Sequence, residues 1–335
     1  MKELLNRVVA GGHLTEAEMM EVMTALMEGA LEPALAAAYL TALRMKGETV
    51  PELVGAARVM RAKVEPVALP EGPAVDTCGT GGDGADTFNI STTAAFVVAG
   101  AGVRVAKHGN RAVSSRSGSA DVLRELGVNL EASPRVVERC LREAGIGFLF
   151  APAYHPAMKH AAPIRKALGI RTLFNLLGPL TNPAGVTSQV IGVYSDQWLR
   201  PLAEVLRELG CRHAWVVHGE DGLDEITLTC DTRVCELSNG KIKEFELSPL
   251  DFGMEYCSPS ELAGGSPEAN ATVLRELLDG AGGPRRAVVL LNAAAALVAA
   301  EVVEDFRQGL ARAGQSIDSG AARQKLKDLC RITNE

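Results

Sequence analysis

The amino-acid order predicts an α/β chain with a helix-only first part and a larger second part built on a mainly parallel sheet. Three observations carry that expectation. Residues 1–65 show helical patterns and no strand pattern, and Pro66, Pro70 and Pro73 then break the chain as a linker would. From residue 74 onward, short apolar runs alternate with helical patterns, the signature of a parallel sheet with covering helices. The first of those runs, Val75-Asp76-Thr77, flows straight into the glycine cluster Gly79-Thr80-Gly81-Gly82-Asp83-Gly84 and then into a helix.

In chain order, Thr15 and Glu18 form a capping box ahead of Met19, Met20, Met23, Leu26 and Met27. That methionine stripe reads as core or as a helix–helix seam. Pro33 suits the first turn of the next helix, which runs to about Met45. Thr49 and Glu52 make a second box, with Pro51 in the first turn of a helix reaching Val64. Strands are expected at 74–77, 103–106 and 146–150, with helices at 91–100, 118–126 and 134–144. Residues 156–168 read as a helix, and the apolar, proline-broken stretch 173–183 reads as an excursion back to the helical part. Strands resume at 190–194 and 214–218 around a helix at 198–209. A hairpin turns at Asn239-Gly240 between 234–237 and 241–247. Helices at 267–279, 285–300, 301–313 and 318–330 close the chain.

Composition narrows the function classes. The chain has 335 residues, 47% of them hydrophobic, enough for one large domain with an appendage or for two domains. Net charge is −7, so no overall basic field draws in nucleic acid. Seven cysteines are scattered without a C-x-x-C pair, which reads as thiols in a reducing, cytoplasmic compartment. The first residues lack the apolar core of a signal peptide. The most apolar stretch, 287–300, is too short to span a bilayer and contains Asn292.

The glycine cluster points to phosphate. Glycines let backbone N–H groups crowd around an anion, and the helix N-terminus behind them adds partial positive charge. Gly79, Gly81 and Gly84 also fit the dinucleotide pattern G-x-G-x-x-G. That alternative needs an acid at the end of the next strand to hold a ribose hydroxyl. The chain has Lys107-His108-Gly109-Asn110-Arg111 there instead, a second phosphate-binding pattern. The ATPase-type loop ending in Gly-Lys-Ser/Thr is absent. On spacing alone, Asp224-Glu225 reads as a solvated acidic turn before it reads as a metal site, and Arg165 as a surface residue compensating a helix C-terminus.

Five segments, in order and at matching spacing, resemble the anthranilate phosphoribosyltransferase family over nearly the whole chain. They are the glycine loop 78–84, Asn89-Ile90-Ser91-Thr92, Lys107 to Ala112, Asn175 to Pro183 with its Asn-Leu-Leu-Gly-Pro-Leu core, and Gly222-Leu223-Asp224-Glu225. The resemblance implies a nucleoside phosphorylase/phosphoribosyltransferase-type fold. A small all-helical domain (1–67 with about 165–187, the expected homodimer interface) packs on a large α/β catalytic domain (69–164 with about 188–335), with the active site between them. It implies transfer of the phosphoribosyl group of 5-phosphoribosyl 1-diphosphate to the amine of anthranilate in tryptophan biosynthesis.

By the same resemblance, Gly79, Gly82, Asp83, Thr87, Asn89, Ile90, Ser91 and Thr92 bind the phosphoribosyl diphosphate. So do Lys107, His108, Gly109, Asn110, Arg111, Ala112, Val113, Ser114, Ser115 and Ser119. Gly79, Asn110 and Arg165 bind anthranilate, and Ser91, Asp224 and Glu225 hold Mg²⁺. His108 and His155 stand near the expected site, and neither is assigned as a general base. Pyrimidine nucleoside phosphorylases share the architecture but carry a Lys-His-Ser-Thr-Gly-Gly type loop where this chain has Thr77-Cys78-Gly79-Thr80-Gly81-Gly82-Asp83. A silent, nucleic-acid-binding paralogue would need a basic stripe, which this acidic chain lacks.

Overall fold

The structure is a computed structural model that describes residues 1–112 and 116–335. Helices α1 (Lys2–Val9), α2 (Glu16–Met27), α3 (Pro33–Lys46) and α4 (Val50–Ala62) form the first part. The Thr15 box is complete: Glu18 N donates to Thr15 Oγ1 at 3.2 Å, and Thr15 N to Glu18 Oε2 at 2.9 Å. The second box, Thr49 with Glu52, also stands at the start of α4. Thr49 N donates to Glu52 Oε2 at 2.8 Å, and among the described residues Thr49 Oγ1 makes no bond of full hydrogen-bond geometry. Glu52 is also committed elsewhere, buried against Lys46 Nζ at 2.8 Å and Leu14 N at 2.9 Å. Met19, Met23 and Met27 are core, as their spacing predicts.

The second part runs β1 (Ala74–Gly79), α5 (Ile90–Gly100), β2 (Arg104–Gly109), α6 (Ser119–Glu125), α7 (Pro134–Arg139, continued by a π turn), β3 (Ile146–Phe150) and α8 (Ala151–Tyr154). Then come α9 (Met158–Leu168), α10 (Phe174–Leu177), β4 (Ser188–Gly192), α11 (Leu199–Glu208), β5 (His213–Gly219), β6 (Thr232–Ser238) and β7 (Lys241–Leu247). Helices α12 (Pro267–Leu278), α13 (Pro284–Ala299), α14 (Phe306–Asp318) and α15 (Ala321–Thr333) follow.

The seven strands lie in the order β3-β2-β1-β4-β5-β6-β7. The first five are parallel, while β6 and β7 add an antiparallel edge. The chain steps outward from β1 to β3, then returns to lay β4 on the other side of β1. That reversal opens a crevice beyond the carboxyl ends of β1 and β4, where ligands bind in such sheets. The hairpin turn is left-handed at both Asn239 (φ 48°) and Gly240 (φ 80°), as an Asn-Gly turn requires.

Alternation along the strands divides the interior into two layers. Val190, Trp215, Val217 and Val234 pack with α5, α12, α13, α14 and α15. Their neighbours Ile191, Ala214, Val216 and Cys235 pack with α11 and with the helices of the first part. Helix α9 rests on α2 and α3, and α10 on α4.

Two expectations shift. Strand β2 runs on to Gly109, so Lys107 and His108 lie on a strand end rather than a loop; pairing of Lys107 with Phe148 and His108 with Leu149 extends it. The last two helices begin later than expected. Glu301 adopts φ 56°, which no helix continues, and Asp305 caps α14 by accepting from Gln308 N at 2.8 Å. Gly320 (φ 75°) then separates α14 from α15. Among the described residues, no helix is long and apolar enough to cross a membrane.

Candidate active site at the reversal of the sheet

Gly79 and Gly192 end β1 and β4 and face each other in register. Neither position has room for a side chain. A Cβ on Gly79 would stand 2.3 Å from Asp224 Oδ2, and one on Gly192 only 1.5 Å from the Asp224 carbonyl oxygen. The segment after β5 therefore lies directly on the bare strand ends. It places Asp224 and Glu225 against the glycine loop and the start of α5. Gly81 N donates to Asp224 Oδ2 at 2.7 Å, and Ser91 N donates to Glu225 Oε1 at 3.0 Å. Asp83 joins them, its Oδ2 accepting from Asp224 N at 3.4 Å. Gly81 (φ 67°) and Gly82 (φ 81°) supply the left-handed turns that aim these N–H groups.

The result is a half-buried knot of acid. Burial, with Asp83 and Glu225 beside it, pushes the Asp224 carboxyl well above the usual range. Burial likewise raises Glu225 to about 7, against the opposing pull of Lys107. Lys107 is itself buried and donates to the Thr77 carbonyl. Clustered, partly desolvated acid of this kind fits a divalent cation. The donors are hard oxygens, carboxylates and the Ser91 hydroxyl, the set Mg²⁺ takes. Among the described residues, no three His, Cys, Asp or Glu side chains form a metal cage. A cation completed by phosphate oxygens and water needs none.

The remaining expected phosphate residues surround this knot. Asn89 donates to Ser117 O at 3.1 Å and accepts from Asn270 Nδ2 at 3.0 Å. It thus ties the N-terminus of α5 to the serine segment and to α12. Thr87 forms an isolated bridge with Ala263, and Ile90 and Thr92 are buried in the first turn of α5. Gly109 has no room for a Cβ, which would meet Ser119 Oγ at 2.3 Å and the Phe148 ring at 2.7 Å. Asn110 O accepts from Ser119 Oγ and Ala120 N. Arg111 lies over the Phe150 ring at 5.7 Å, and Ala112 N donates to Asp121. Val113, Ser114 and Ser115 lie outside the described residues.

The opposite wall is made of side chains. His108 Nδ1 stands 3.1 Å from the Gly178 carbonyl, which only accepts, so that nitrogen carries the proton. His108 Nε2 is then the acceptor for His155 Nε2 at 3.1 Å. Burial lowers His108 to about 3 and His155 to about 4, so both rings are neutral near pH 7. Arg165 stacks over Phe174 at 5.1 Å. It is half-buried, and burial lowers its pKa. Its carbonyl accepts from Gly169 N at 3.1 Å, while among the described residues its guanidinium has the Phe174 ring as its contact and no hydrogen bond or ion pair to Gly79, Asn110 or any other residue, which leaves it open to a carboxylate.

Several contributors were not singled out by the sequence. Gly192 is one. Asp76 is another: it is fully buried at the base of the loop, where its carboxylate accepts from His108 N at 3.1 Å and Asn182 Nδ2 at 2.7 Å. A charged residue inside the apolar start of β1 was the available signal. Arg171 reaches from beyond α9 to the Gly82 carbonyl and lies over Tyr194 at 4.3 Å.

Residues 71–323 match the a/b domain of the glycosyl transferase family, and residues 2–64 match its helical bundle domain. The anthranilate phosphoribosyltransferase of Desulfatibacillum aliphaticivorans is 55% identical over 333 residues, covering 99% of this chain and 98% of that protein. The chain belongs to the anthranilate phosphoribosyltransferase family. Among solved anthranilate phosphoribosyltransferases, that of Thermus thermophilus superposes with a TM-score of 0.94 at 45% identity, covering 99% of both chains. The enzyme from Saccharomyces cerevisiae, in complex with PRPP and Mg, gives 0.88 at 30% identity over 96% of this chain and 94% of that one. A small helical domain beside a large α/β domain with a mostly parallel sheet is thus the architecture of the anthranilate phosphoribosyltransferases and of this chain.

Proposed function

We propose that the chain transfers the phosphoribosyl group of 5-phosphoribosyl 1-diphosphate to anthranilate, giving N-(5-phosphoribosyl)anthranilate and diphosphate, a step of tryptophan biosynthesis. The observation that carries it is the acid pair seated on Gly79 and Gly192, facing the backbone N–H groups of Gly81 and Ser91. Charge complementarity divides the site: an N–H cradle with Lys107 for diphosphate, and an uncommitted guanidinium for a carboxylate.

In the reaction, the anomeric C–O bond to diphosphate breaks and the anthranilate nitrogen bonds to that carbon. The demand falls on leaving-group stabilisation and positioning. Bound Mg²⁺ would neutralise the departing polyanion as a Lewis acid, held by Asp224, Glu225 and Ser91. The glycine-loop N–H groups and Lys107 bind the diphosphate, and Asn89 ties the start of α5 to Ser117 and to α12. Arg165 orients anthranilate through its carboxylate, with Phe174 holding the guanidinium in place. The aromatic amine attacks neutral and sheds its proton afterwards. No base is asked of His108 or His155, which burial keeps uncharged.

The boundaries we propose for the two domains are 1–67 with about 165–187, and the remainder. Homodimerisation through the helical domain is part of the same reading, supported by Met45 and Val9 there, 83% and 67% exposed. Cysteines that are all free support a reducing, cytoplasmic setting. The test is loss of anthranilate fluorescence with purified protein, phosphoribosyl diphosphate and Mg²⁺. Loss that needs all three and stops with EDTA is the expected result. A folded protein that binds the diphosphate yet consumes no anthranilate would sink the assignment of acceptor.

A further inference from the structure

We propose that Asn292 is a positioning residue for the acid pair, fixing from α13 the backbone on which Asp224 and Glu225 are carried. Helix α13 is almost wholly apolar and buried, yet Asn292, 3% exposed, sits in its middle. A buried amide is costly unless paired. Here every group is paired, and mostly with one residue. Asn292 Oδ1 accepts from Ile226 N at 3.0 Å, and Nδ2 donates to Ile226 O at 2.8 Å. The second Nδ2 proton goes to Val288 O at 2.9 Å. The side chain therefore reads both backbone groups of the residue that follows Glu225, as a neighbouring strand would.

That substitution for a strand is needed where it occurs. After Gly219 the chain leaves the sheet and does not rejoin it until Thr232. Ile226 is fully buried within that gap, so its peptide groups have no ladder to satisfy them. Helix α13 also packs against α5, whose first turn carries Ser91. One helix thus sets the spacing between the two halves of the proposed Mg²⁺ site. Residues that orient ligands from behind typically govern affinity by roughly 10–100-fold. This inference rests on the reading of Asp224 and Glu225 as the metal-holding pair.

The experiment measures calorimetric binding of inorganic diphosphate with Mg²⁺, and the Mg²⁺ concentration for half-maximal turnover. The proteins are the wild type, Asn292→Leu, Asn292→Ser and Leu291→Ala. Leu291 is equally buried on α13 and belongs to the hydrophobic core, so its variant reports loss of packing. Both Asn292 variants should weaken diphosphate binding and raise the Mg²⁺ requirement by roughly 10–100-fold, with the anthranilate KM unchanged. Leu291→Ala should lower the melting temperature and leave the Mg²⁺ requirement alone. A wild-type requirement in both Asn292 variants, an equal shift in Leu291→Ala, or failure of both Asn292 variants to fold would each overturn the proposal. Wild-type protein that binds diphosphate without regard to Mg²⁺ would instead strike the reading of the acid pair.

Discussion

The two walls of the cleft are made by different means. The wall formed by β1, β4 and the glycine loop works through backbone: bare strand ends, left-handed glycines and N–H groups aimed at carboxylates. The wall formed by β2, the turn between α8 and α9, α9 and α10 works through side chains: two neutral imidazoles and a guanidinium on a phenyl ring. A backbone wall tolerates no added atom, because its parts cannot turn aside. A side-chain wall tolerates truncation and loses only the contact removed.

The sharpest test of that contrast removes the charge on the backbone wall. Asp224→Asn with Glu225→Gln should lower turnover by about 10²–10³-fold, the worth of several kcal/mol of Lewis-acid stabilisation, and change the Mg²⁺ requirement. An unchanged Mg²⁺ profile in a metal titration would take the pair out of the metal site. Gly192→Ala comes next. It adds one methyl group 1.5 Å from the Asp224 carbonyl oxygen, so the acid segment must move, and a shift of about 1 Å can cost roughly 10²-fold in rate. Wild-type kinetics from this variant would mean the acid segment is free to slide, and the contrast would fail.

On the other wall, Arg165→Ala should raise the anthranilate KM by roughly 10–100-fold, equivalent to about 1.5–3 kcal/mol for a charged hydrogen bond. Binding of the phosphoribosyl diphosphate, followed by calorimetry, should stay as it is; equal loss of both would end Arg165's role as carboxylate clamp. The smallest effect concerns acid stability. His155 has a pKa of about 4 in the fold against an ordinary 6.5. Below pH 6.5 the unfolded chain binds a proton that the fold refuses. Stability present above pH 6.5 is therefore lost as pH falls towards 4, by about 1.4 kcal/mol per pH unit. Thermal melts of His155→Asn against wild type should show a shallower loss over that window; parallel curves would mean the ring is not buried neutral.

How much of each wall the sequence revealed follows from the same difference. Glycines clustered after an apolar run announce a backbone cradle, and the cradle stands at the end of β1 as its order implies. The architecture was legible for a similar reason: helical periodicity gives way to alternation at residue 74, and the prolines mark the change. Arg165 carries no such mark, because one arginine on a short helix looks the same at the surface or in a site; only the family resemblance singled it out. Gly192 was hidden too, a lone glycine whose need arises from a segment more than 30 residues later settling on top of it. The end of β2 misled because Lys107 and His108 are polar, yet both are buried by partners from other strands. Asn292 was visible as a polar interruption of an apolar run, but nothing local named Ile226 as its partner.

The shared inner layer has a consequence for how the chain comes to be folded. Helices α1 to α4 bury their apolar faces together with Leu173, Leu177, Val216 and Leu237, residues that leave the ribosome far later. The first part to be synthesised is thus among the last to be completed. Until roughly the first two-thirds of the chain has emerged, α2 and α4 have each other, but the faces that meet those later residues have no permanent cover. Long-range contacts of this kind slow folding and expose sticky surface in the interim. The N-terminal helices should accordingly aggregate when made alone, and the nascent chain should be a ready client for chaperones that shield apolar segments during translation.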